Sequence, residues 1–305
     1  MDGRLRADFH THTGFSDGRG SMGQLVEAAR ERRLDAIAIT DHDVLGGARW
    51  AYGWARHQDR LAAAGEAPGI TIIAGVEISS FITRRGKPDI IHMQLLGVDP
   101  FDSGLVALCE DLRRRRIEQL HHRLEHVRSI GFELDPEATA RILEKAFWGK
   151  QEIARELVLK GDFEGVDAAY HAIWDCYDPS DDIDAYVPAH LAIETGHACG
   201  AISLIAHPLR DETTRRLIPL DDVEERLDLL QDMGLDGAEC FYSAFLISDC
   251  LALEGIARTR GLVVSCGSDH HDYARRNRLS ITCSDGLNYG HRTNVLEALG
   301  INIRG

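Results

Sequence analysis

Residues 35–43 read Asp-Ala-Ile-Ala-Ile-Thr-Asp-His-Asp, a short apolar run followed at once by a polar cluster. Such an uncharged run, rich in isoleucine, indicates a buried β-strand. A helical pattern precedes the run, with Ser21 as its expected N-cap, and a second one follows from about residue 45 to 64. This alternation of helix, buried strand and helix is typical of an α/β fold.

A similar unit opens the chain. Residues 4–9 predict a strand that runs into His10 and His12, and Asp17 lies in the glycine-containing loop that follows. Because residues i and i+2 of a strand point to the same face, the two imidazoles can converge on one point, which the loop carboxylate can reach. Taken alone, a His-x-His pair is more often two surface histidines beside a turn.

Five later apolar runs also have the composition of buried strands. They lie at residues 70–76, 90–98, 201–206, 237–241 and 262–266. Side chains that can bind metals end or interrupt most of these runs, namely Glu77, His92, His207, Asp269 and His271. About seven strands separated by helices predict a parallel α/β barrel or a doubly wound sheet, in which functional side chains gather at the carboxyl ends of the strands.

Each cluster taken singly has an explanation that involves no ligand. His92 is readable as a core histidine, Glu77 as a helix cap, and residues 41–43 as a solvated turn. Taken together, six histidines and three carboxylates would point at one mouth of the fold. Carboxylates gathered there repel one another, and desolvated imidazoles are costly unless cations are present. The combination therefore predicts a metal site.

The composition is that of a globular protein, with 305 residues, 44% of them hydrophobic and 27% charged, enough for one large domain or two smaller ones. We expect a cytoplasmic protein because no apolar run approaches the roughly 20 residues that span a bilayer and residues 1–4 lack the apolar core of a signal peptide. The seven scattered cysteines are expected to be reduced. A net charge of −15 disfavours non-specific attraction to nucleic acid or anionic membranes.

The order of these motifs resembles that of the polymerase-and-histidinol-phosphatase (PHP) family of metal-dependent phosphoesterases. The matching segments are His-Thr-His-x-x-x-Ser-Asp-Gly at 10–18, Thr-Asp-His-Asp at 40–43, Gly-Val-Glu at 75–77, His92, Ala-His-Pro at 206–208 and Gly-Ser-Asp-x-His at 267–271. They span nearly the whole chain in the family's order. The resemblance implies an α/β fold that is a distorted seven-stranded (β/α)7 barrel.

The resemblance also implies a site for three divalent metal ions, for which Mn, Fe and Zn are the candidates. By position, one ion would be held by His10, His12, Glu77 and Asp269, a second by Glu77, His92 and His207, and a third by Asp17, His42 and His271. Asp17 stands where some family members have a histidine, and it still offers a ligand. His270 lacks the matching spacing, and Asp41 and Asp43 are expected to orient His42 or to hold water.

Residues 99–190 lack the strand patterns of the rest of the chain and begin with a long charged helix from about residue 104 to 131. We therefore expect a mainly helical insertion at 99–190, after the fourth strand. Residues 1–98 and 191–305 would then form the barrel domain.

The insertion resembles that of a subgroup whose members act on nucleoside 3′,5′-bisphosphates or trim short RNA from the 5′ end. Residues 153–161 and 185–188 carry this likeness. The chain departs from the subgroup at Gly149-Lys150-Gln151-Glu152, where many relatives read Gly-Arg-Pro-His. Lys150 keeps a positive charge there, but the bidentate grip of an arginine on phosphate and the histidine contact are lost.

Three cations are candidates for binding substrate phosphate, namely Arg116, Lys150 and Arg210. Arg116 ends a run of four arginines, of which at most one or two can face the barrel mouth because consecutive helical positions face all round. We expect Arg116 to be the inward one, since apolar residues follow it. A solvated face is the alternative for the run as a whole.

The reaction implied is hydrolysis of a phosphomonoester by in-line attack of a metal-bridging hydroxide. Three divalent cations with Asp17, Glu77 and Asp269 leave a net charge of about +3, which a phosphate dianion and a hydroxide would neutralise. A neutral amide would leave the site strongly positive. Three residues are candidates for giving a proton to the leaving group, namely Asp43, His207 and His270.

The expected partner is a small phosphorylated substrate, either a nucleotide or a short RNA, and no membrane or obligatory protein partner is inferred. Histidinol phosphate or a sugar phosphate is the alternative within the same chemistry. A metal-dependent amidohydrolase and a non-catalytic, metal-stabilised binding module are the alternatives from other classes. The charge argument disfavours the amidohydrolase, and nine filled ligand positions disfavour a site that has lost its function.

Overall fold

The computed structural model describes residues 4–63, 69–177, 179–271 and 279–302. Its strands are β1 (Ala7–Asp8), β2 (Ala36–Ile39), β3 (Thr71–Arg84), β4 (Lys87–Leu96), β5 (Val187–Pro188), β6 (Ile202–Ile205), β7 (Gly237–Tyr242) and β8 (Val263–Gly267). Its α-helices are α1 (Met22–Glu31), α2 (Gly46–Ala63), α3 (Ser103–Ser129), α4 (Pro136–Leu143), α5 (Lys150–Lys160), α6 (Val166–Trp174), α7 (Ala189–Ala198), α8 (Leu220–Asp232), α9 (Ile247–Thr259) and α10 (Val295–Ala298). The predicted end of the second helix, residue 64, lies outside the described residues.

The strands form a nearly closed barrel. Seven of them follow one another in the order β1-β2-β3-β4-β6-β7-β8, and the two-residue β5 pairs with β3 beside this path. The last strand returns to the first, where Phe9 N donates to Cys266 O at 2.9 Å and Thr11 bridges His270 in parallel. The predicted seven-stranded (β/α)7 barrel is thereby confirmed.

One strand breaks the parallel arrangement that we predicted for the sheet. β4 runs antiparallel to both of its neighbours, β3 and β6. The reason is local, because Arg85 and Gly86 have φ angles of 51° and 74° and join β3 to β4 in a two-residue turn. Two left-handed residues make a hairpin turn, and so short a connection leaves no room for the crossover that parallel strands need.

The helices that follow β4 have a hydrophobic core of their own. Side chains from α3, α4, α5 and α6 pack around the buried Trp148, apart from the larger core that surrounds the barrel strands. The predicted helical insertion after the fourth strand is therefore present. Its predicted limits at 99–190 stay a prediction, and β5, at its C-terminal edge, already pairs with β3.

Helix α3 spans 27 residues and leads from the barrel into the insertion. Asp102 caps it by accepting hydrogen bonds from the backbone N–H groups of Gly104 and Leu105. Its arginines lie at residues 113–116, 123 and 128, in the part of the helix that leads into the insertion. No helix in the part of the chain that the structure describes is both long enough and apolar enough to cross a membrane.

Candidate metal centre

Glu77 lies at the centre of the site, fully buried in the middle of β3. Its Oε2 atom is 3.2 Å from His10 Nε2, 3.3 Å from His12 Nε2 and 3.1 Å from His42 Nδ1. Asp269 closes the same group, with Oδ1 at 3.1 Å from His12 Nε2 and 3.5 Å from His10 Nε2. One carboxylate oxygen therefore faces three imidazoles at once.

The other oxygen of Glu77 faces a second group of histidines. Oε1 is 3.1 Å from His92 Nδ1 and 3.2 Å from His207 Nε2. We expected such residues at the ends of parallel strands, yet Glu77 and His92 lie within long strands. Because β4 returns antiparallel beside β3, His92 pairs in register with Ser79, two residues from Glu77 and on the same face.

A third group joins the loop after β1 to the segment after β8. Asp17 Oδ1 is 3.2 Å from His271 Nε2 and 3.9 Å from His12 Nδ1. The His12 ring stacks on the rings of His271 and His42, with centroids 4.1 Å and 4.5 Å apart. The structure thus brings together all nine residues that we proposed as metal ligands.

Strained backbone occurs at the segments that carry these side chains. Asp43, His207 and Asp269 have φ angles of 53°, 30° and 52°, a region that non-glycine residues seldom adopt. The buried carboxylate of Asp8 holds one of these segments by accepting hydrogen bonds from the N–H groups of Ser268 and Ser280. Such strain persists only where the surrounding structure enforces it, and it is concentrated at functional sites.

The electrostatics of the centre favour positive charge. Burial would raise the pKa of Glu77, but the surrounding His42, His10 and His92 hold it well below its usual range. Burial likewise opposes the protonation of His271, yet Asp17 and Asp269 raise its pKa to about 10. Burial lowers the pKa of His42 to about 4. Carboxylates that hold a proton on a buried imidazole also favour a metal cation in the same place.

The donor atoms fit a metal centre. His12 Nδ1, His42 Nδ1 and Glu77 Oε2 are buried and find no hydrogen-bond partner among the described residues, which is costly for polar groups without a ligand. His10 Nδ1 donates to Glu239 Oε1 at 3.0 Å, so a neutral His10 directs the lone pair of Nε2 at the centre. Imidazole and carboxylate donors together suit Mn, Fe and Zn.

A cavity of about 590 Å³ opens above this centre, between the barrel and the insertion. Arg116, Lys150 and Arg210, our three candidates for binding phosphate, all line it. Aromatic side chains share the wall with them, among them Phe147 and Tyr242. The cavity therefore has the mixed cationic and aromatic lining that an organic phosphate would require.

Arg116 is the inward member of the arginine run, as expected, but it already has partners. Its Nε donates to Asp43 Oδ2 at 3.0 Å, and Nη2 donates to Ser79 Oγ at 2.7 Å and to the same aspartate. Its guanidinium carbon lies 4.1 Å from the centre of the Phe147 ring, which in turn stacks on His42. Arg116 thus links the insertion to the metal centre through Asp43.

Lys150 is also paired within the chain. Its Nζ lies 3.3 Å from Asp182 Oδ2 and 4.7 Å from the centre of the Tyr177 ring. Arg123 makes two hydrogen bonds to the same carboxylate. Glu152 accepts a hydrogen bond from Gly149 N at the start of α5. The segment 149–152 is therefore held by contacts within the chain.

The three candidates for proton transfer lie in different surroundings. Both carboxylate oxygens of Asp43 accept hydrogen bonds, from Ser79 and Arg116. His270 is buried, and its backbone carbonyl accepts a hydrogen bond from His12 N, in the segment after β1. Of the three residues, His207 is the one that lines the cavity.

Comparison of the sequence with protein-family models gives an assignment that agrees with the geometry of these clusters. The model described as "PHP domain" matches residues 8–175, more than half of the chain. The chain belongs to the PHP family.

Known PHP-related proteins similar to this chain have several activities. A phosphoribosyl 1,2-cyclic phosphate 1,2-diphosphodiesterase from Eggerthella lenta is 28% identical over 87% of this chain and 93% of its own length. A 3′,5′-nucleoside bisphosphate phosphatase from Chromobacterium violaceum is also 28% identical, over 87% and 86%. A solved structure from Bifidobacterium adolescentis, assigned as a metal-dependent phosphoesterase, matches 92% of this chain and 94% of its own with a TM-score of 0.69 and 25% identity.

Two glutamates that contact the candidate ligands of this PHP chain were not predicted from the sequence. Glu239 lies in β7, where its two oxygens bind His10 Nδ1 and the backbone N–H of His207. A charged residue inside an otherwise apolar strand was the signal that could have revealed it. Glu212 lies in the loop after β6, with Oε1 at 3.0 Å from His207 Nδ1. No pattern of the loop sequence marks Glu212, because loops lack the periodicity on which strand assignments depend.

Proposed function

We propose that this PHP protein is a metal-dependent phosphoesterase that hydrolyses phosphomonoesters of nucleotides, with a nucleoside 3′,5′-bisphosphate as the first candidate substrate. The observation that carries the proposal is the position of Glu77. Its two oxygens face two separate groups of histidines at the floor of a cavity whose walls carry arginines and a lysine. The relatives act on phosphate esters of nucleosides or ribose, as their names state.

The nine ligand residues fit divalent ions, which when bound would supply a Lewis acid for phosphate and lower the pKa of the attacking water. The chain's own groups then bind and orient the substrate. Arg210 donates to Tyr242 Oη at 3.2 Å, and its Nη1 lies 3.7 Å from Asp269 Oδ2, so its charge is directed at the centre. His207 lines the cavity, but a histidine that binds a metal ion is neutral and holds no readily donated proton, so we do not propose His207 as the group that protonates the leaving oxygen.

The cavity also supports a nucleotide as the substrate, in preference to a small phosphate ester. A volume of about 590 Å³ lies within the range of pockets that enclose a whole organic ligand. Lys150, Arg123 and Tyr170 line its insertion side, where a base or a second phosphate would find a cationic and aromatic surface. A short 5′-phosphorylated RNA is the second candidate, favoured by the same cations and disfavoured by the overall charge of −15.

A phosphate-release screen tests this proposal. Protein stripped with a chelator and reloaded with Mn²⁺ or Zn²⁺ is given a nucleoside 3′,5′-bisphosphate, a short 5′-phosphorylated RNA, histidinol phosphate and a ribose cyclic phosphate at equal concentration. We expect the highest kcat/KM for the bisphosphate, and no release by the chelated protein. Faster release from histidinol phosphate would refute the nucleotide preference, and full activity without metal would refute the mechanism.

Location in the cytoplasm stays a prediction.

A further inference from the structure

A tenth candidate ligand lies in the loop between β6 and α8. The side chain of Glu212 is only 6% exposed, although it belongs to a loop at the cavity. Ligand atoms of Glu212, His92 and His207 all lie within 4.8 Å of one another, which is close enough to hold one metal ion. Neither the motifs of the sequence nor the relatives' names point to this carboxylate.

Glu239 and Glu212 approach their histidines at the same distance but in different ways. Glu239 Oε1 accepts a hydrogen bond from His10 Nδ1 at 3.0 Å, and its second oxygen accepts one from His207 N. Glu212 Oε1 is also 3.0 Å from an imidazole Nδ1, that of His207, yet it makes no hydrogen bond with any described residue. A carboxylate that orients a metal-binding histidine needs the geometry of Glu239, which Glu212 lacks.

Nearby arginines do not account for Glu212 either. Arg210 Nε lies 3.5 Å from Oε1, and Arg215 Nη1 lies 4.0 Å from Oε2. Both distances exceed those of a good charge-assisted hydrogen bond. A buried carboxylate oxygen without a hydrogen bond costs free energy, so a cation at this point would resolve the conflict.

We propose that Glu212 is itself a metal ligand and binds one divalent ion together with His92 and His207. The proposal rests on the proposed function, since it uses His92 and His207, which also face Glu77. Glu212 approaches His207 from the other ring nitrogen, Nδ1. Two imidazoles and one carboxylate form a donor set that suits Mn, Fe and Zn. Binding of Glu212 to the metal ion would also fix the loop that carries Arg210. Because Arg210 is expected to bind substrate phosphate, the metal would help to hold this arginine in place.

Metal binding by the full chain, without substrate, tests this inference. Metal-free wild type, Glu212→Gln and Arg215→Ala are titrated with Mn²⁺ and, separately, with Zn²⁺ by calorimetry, and bound metal is counted by elemental analysis after dialysis. Glutamine keeps the size of the side chain and removes its charge. We expect Glu212→Gln to lose one ion per chain or to weaken one site by about tenfold or more. Arg215→Ala removes a long, exposed ion pair and should change each affinity by less than about twofold.

Folding is checked for every variant by circular dichroism. If Glu212→Gln does not fold, Glu212→Asp takes its place, and we expect it to bind the same number of ions with one weaker site because its carboxylate is one methylene too short. Wild-type stoichiometry and affinity in the folded variant would overturn the inference alone. If wild type itself binds no divalent ion, the proposed function fails along with it. An equal loss in Arg215→Ala would reduce Glu212 to an anchor of its loop and overturn its role as a ligand.

Discussion

The two walls of the cavity differ in whether their polar groups have partners within the chain. On the barrel wall, His42 lines the cavity and Glu77 and His12 contact it from behind, and all three present buried atoms that have no hydrogen-bond partner among the described residues. On the insertion wall, Arg116 and Lys150 pair with aspartates of the same chain. The buried polar atoms of the barrel side therefore need a partner from outside the chain. The cations of the insertion wall already have partners before a substrate arrives.

The paired cations keep a net positive charge while they are held in place. Asp182 is shared by Arg123 and Lys150, so this cluster of three carries a charge of +1 toward the cavity. Because their partners fix these side chains, less rotamer freedom is lost when an anion binds. The contrast indicates a division of labour, in which the barrel wall determines whether any phosphate ester reacts and the insertion wall determines which one binds.

The largest effect is expected at the barrel wall, from Glu77→Gln. Glutamine keeps the shape but removes the charge that both histidine groups share. A bound metal contributes several kcal/mol to the transition state, and each 1.36 kcal/mol is tenfold in rate, so we expect kcat/KM to fall by at least about 10³-fold for every substrate. Steady-state kinetics with a bisphosphate and with p-nitrophenyl phosphate measure the loss.

The matched control is Glu254→Gln, which alters another buried glutamate. Glu254 pairs with Arg258 and Arg292 at α9, outside the cavity. Its substitution should lower stability and leave the kcat/KM of the folded protein near that of wild type. A similar kinetic loss in both variants, or a loss of less than tenfold in Glu77→Gln, would remove Glu77 from its central role.

An intermediate effect is expected from Arg226→Ala, because this arginine is a polar group of the barrel that is fully paired. It is 1% exposed, makes two hydrogen bonds to Asp89, and donates to the carbonyls of Pro208 and Arg210. Removing one partner of a buried ion pair costs about 3–5 kcal/mol. Urea unfolding should show a loss of about 3 kcal/mol in Arg226→Ala and a smaller loss in the double variant Asp89→Asn/Arg226→Met. A loss below about 1 kcal/mol would mean that the Arg226–Asp89 pair does little to stabilise the fold. Full hydrogen bonding would then not identify a buried polar group as structural.

The same pair gives stability a dependence on pH. Burial raises the pKa of Asp89, but Arg226 and Arg84 outweigh it and lower the pKa below its usual value. A carboxyl group with a depressed pKa in the folded state stabilises the protein above its unfolded pKa, and this contribution is lost as the pH falls through the folded value. Between about pH 5 and about pH 3, the free energy of unfolding should therefore fall less steeply in Asp89→Asn than in wild type.

The grouping of the candidate metal ligands was largely predictable from the sequence because these residues lie next to strands that the sequence marks clearly. His10, His12 and His42 follow apolar runs directly, and the structure brings them together beside Glu77. The orientation of β4 was not predictable in this way, because strand periodicity is identical in parallel and antiparallel sheets. The two-residue turn at Arg85 and Gly86 holds the missing information.

The carboxylate partners of Arg116 and Lys150 could not be predicted from the sequence, for a different reason. Sequence patterns show that Arg116 and Lys150 are positively charged near the predicted mouth, but not which carboxylates meet them. Asp43 lies 73 residues from Arg116 and in another element. Such contacts depend on how the insertion packs on the barrel, which periodicity within a helix does not specify.

The smallest effect is expected at the insertion wall, and it is the one that would break the contrast between the walls. Lys150→Ala removes a cation from the cavity while Arg123 still pairs with Asp182. If the insertion wall selects the substrate, KM for a nucleoside 3′,5′-bisphosphate should rise about tenfold, roughly the 1.4 kcal/mol expected for one charge-assisted contact. KM for p-nitrophenyl phosphate, which has neither a second phosphate nor a base for Lys150 to bind, should stay unchanged.

Lys160→Ala is the matched control, because Lys160 ends the same helix and pairs with the Glu133 carbonyl and Asp162, away from the cavity lining. It should alter neither KM. An equal rise for both substrates in Lys150→Ala would mean that the lysine acts on the shared phosphate, and selection would then have to lie in the barrel. A rise confined to the bisphosphate, with kcat unchanged, would mean that its contact is made equally in the ground state and the transition state. That result would assign selection to the insertion and reaction to the barrel.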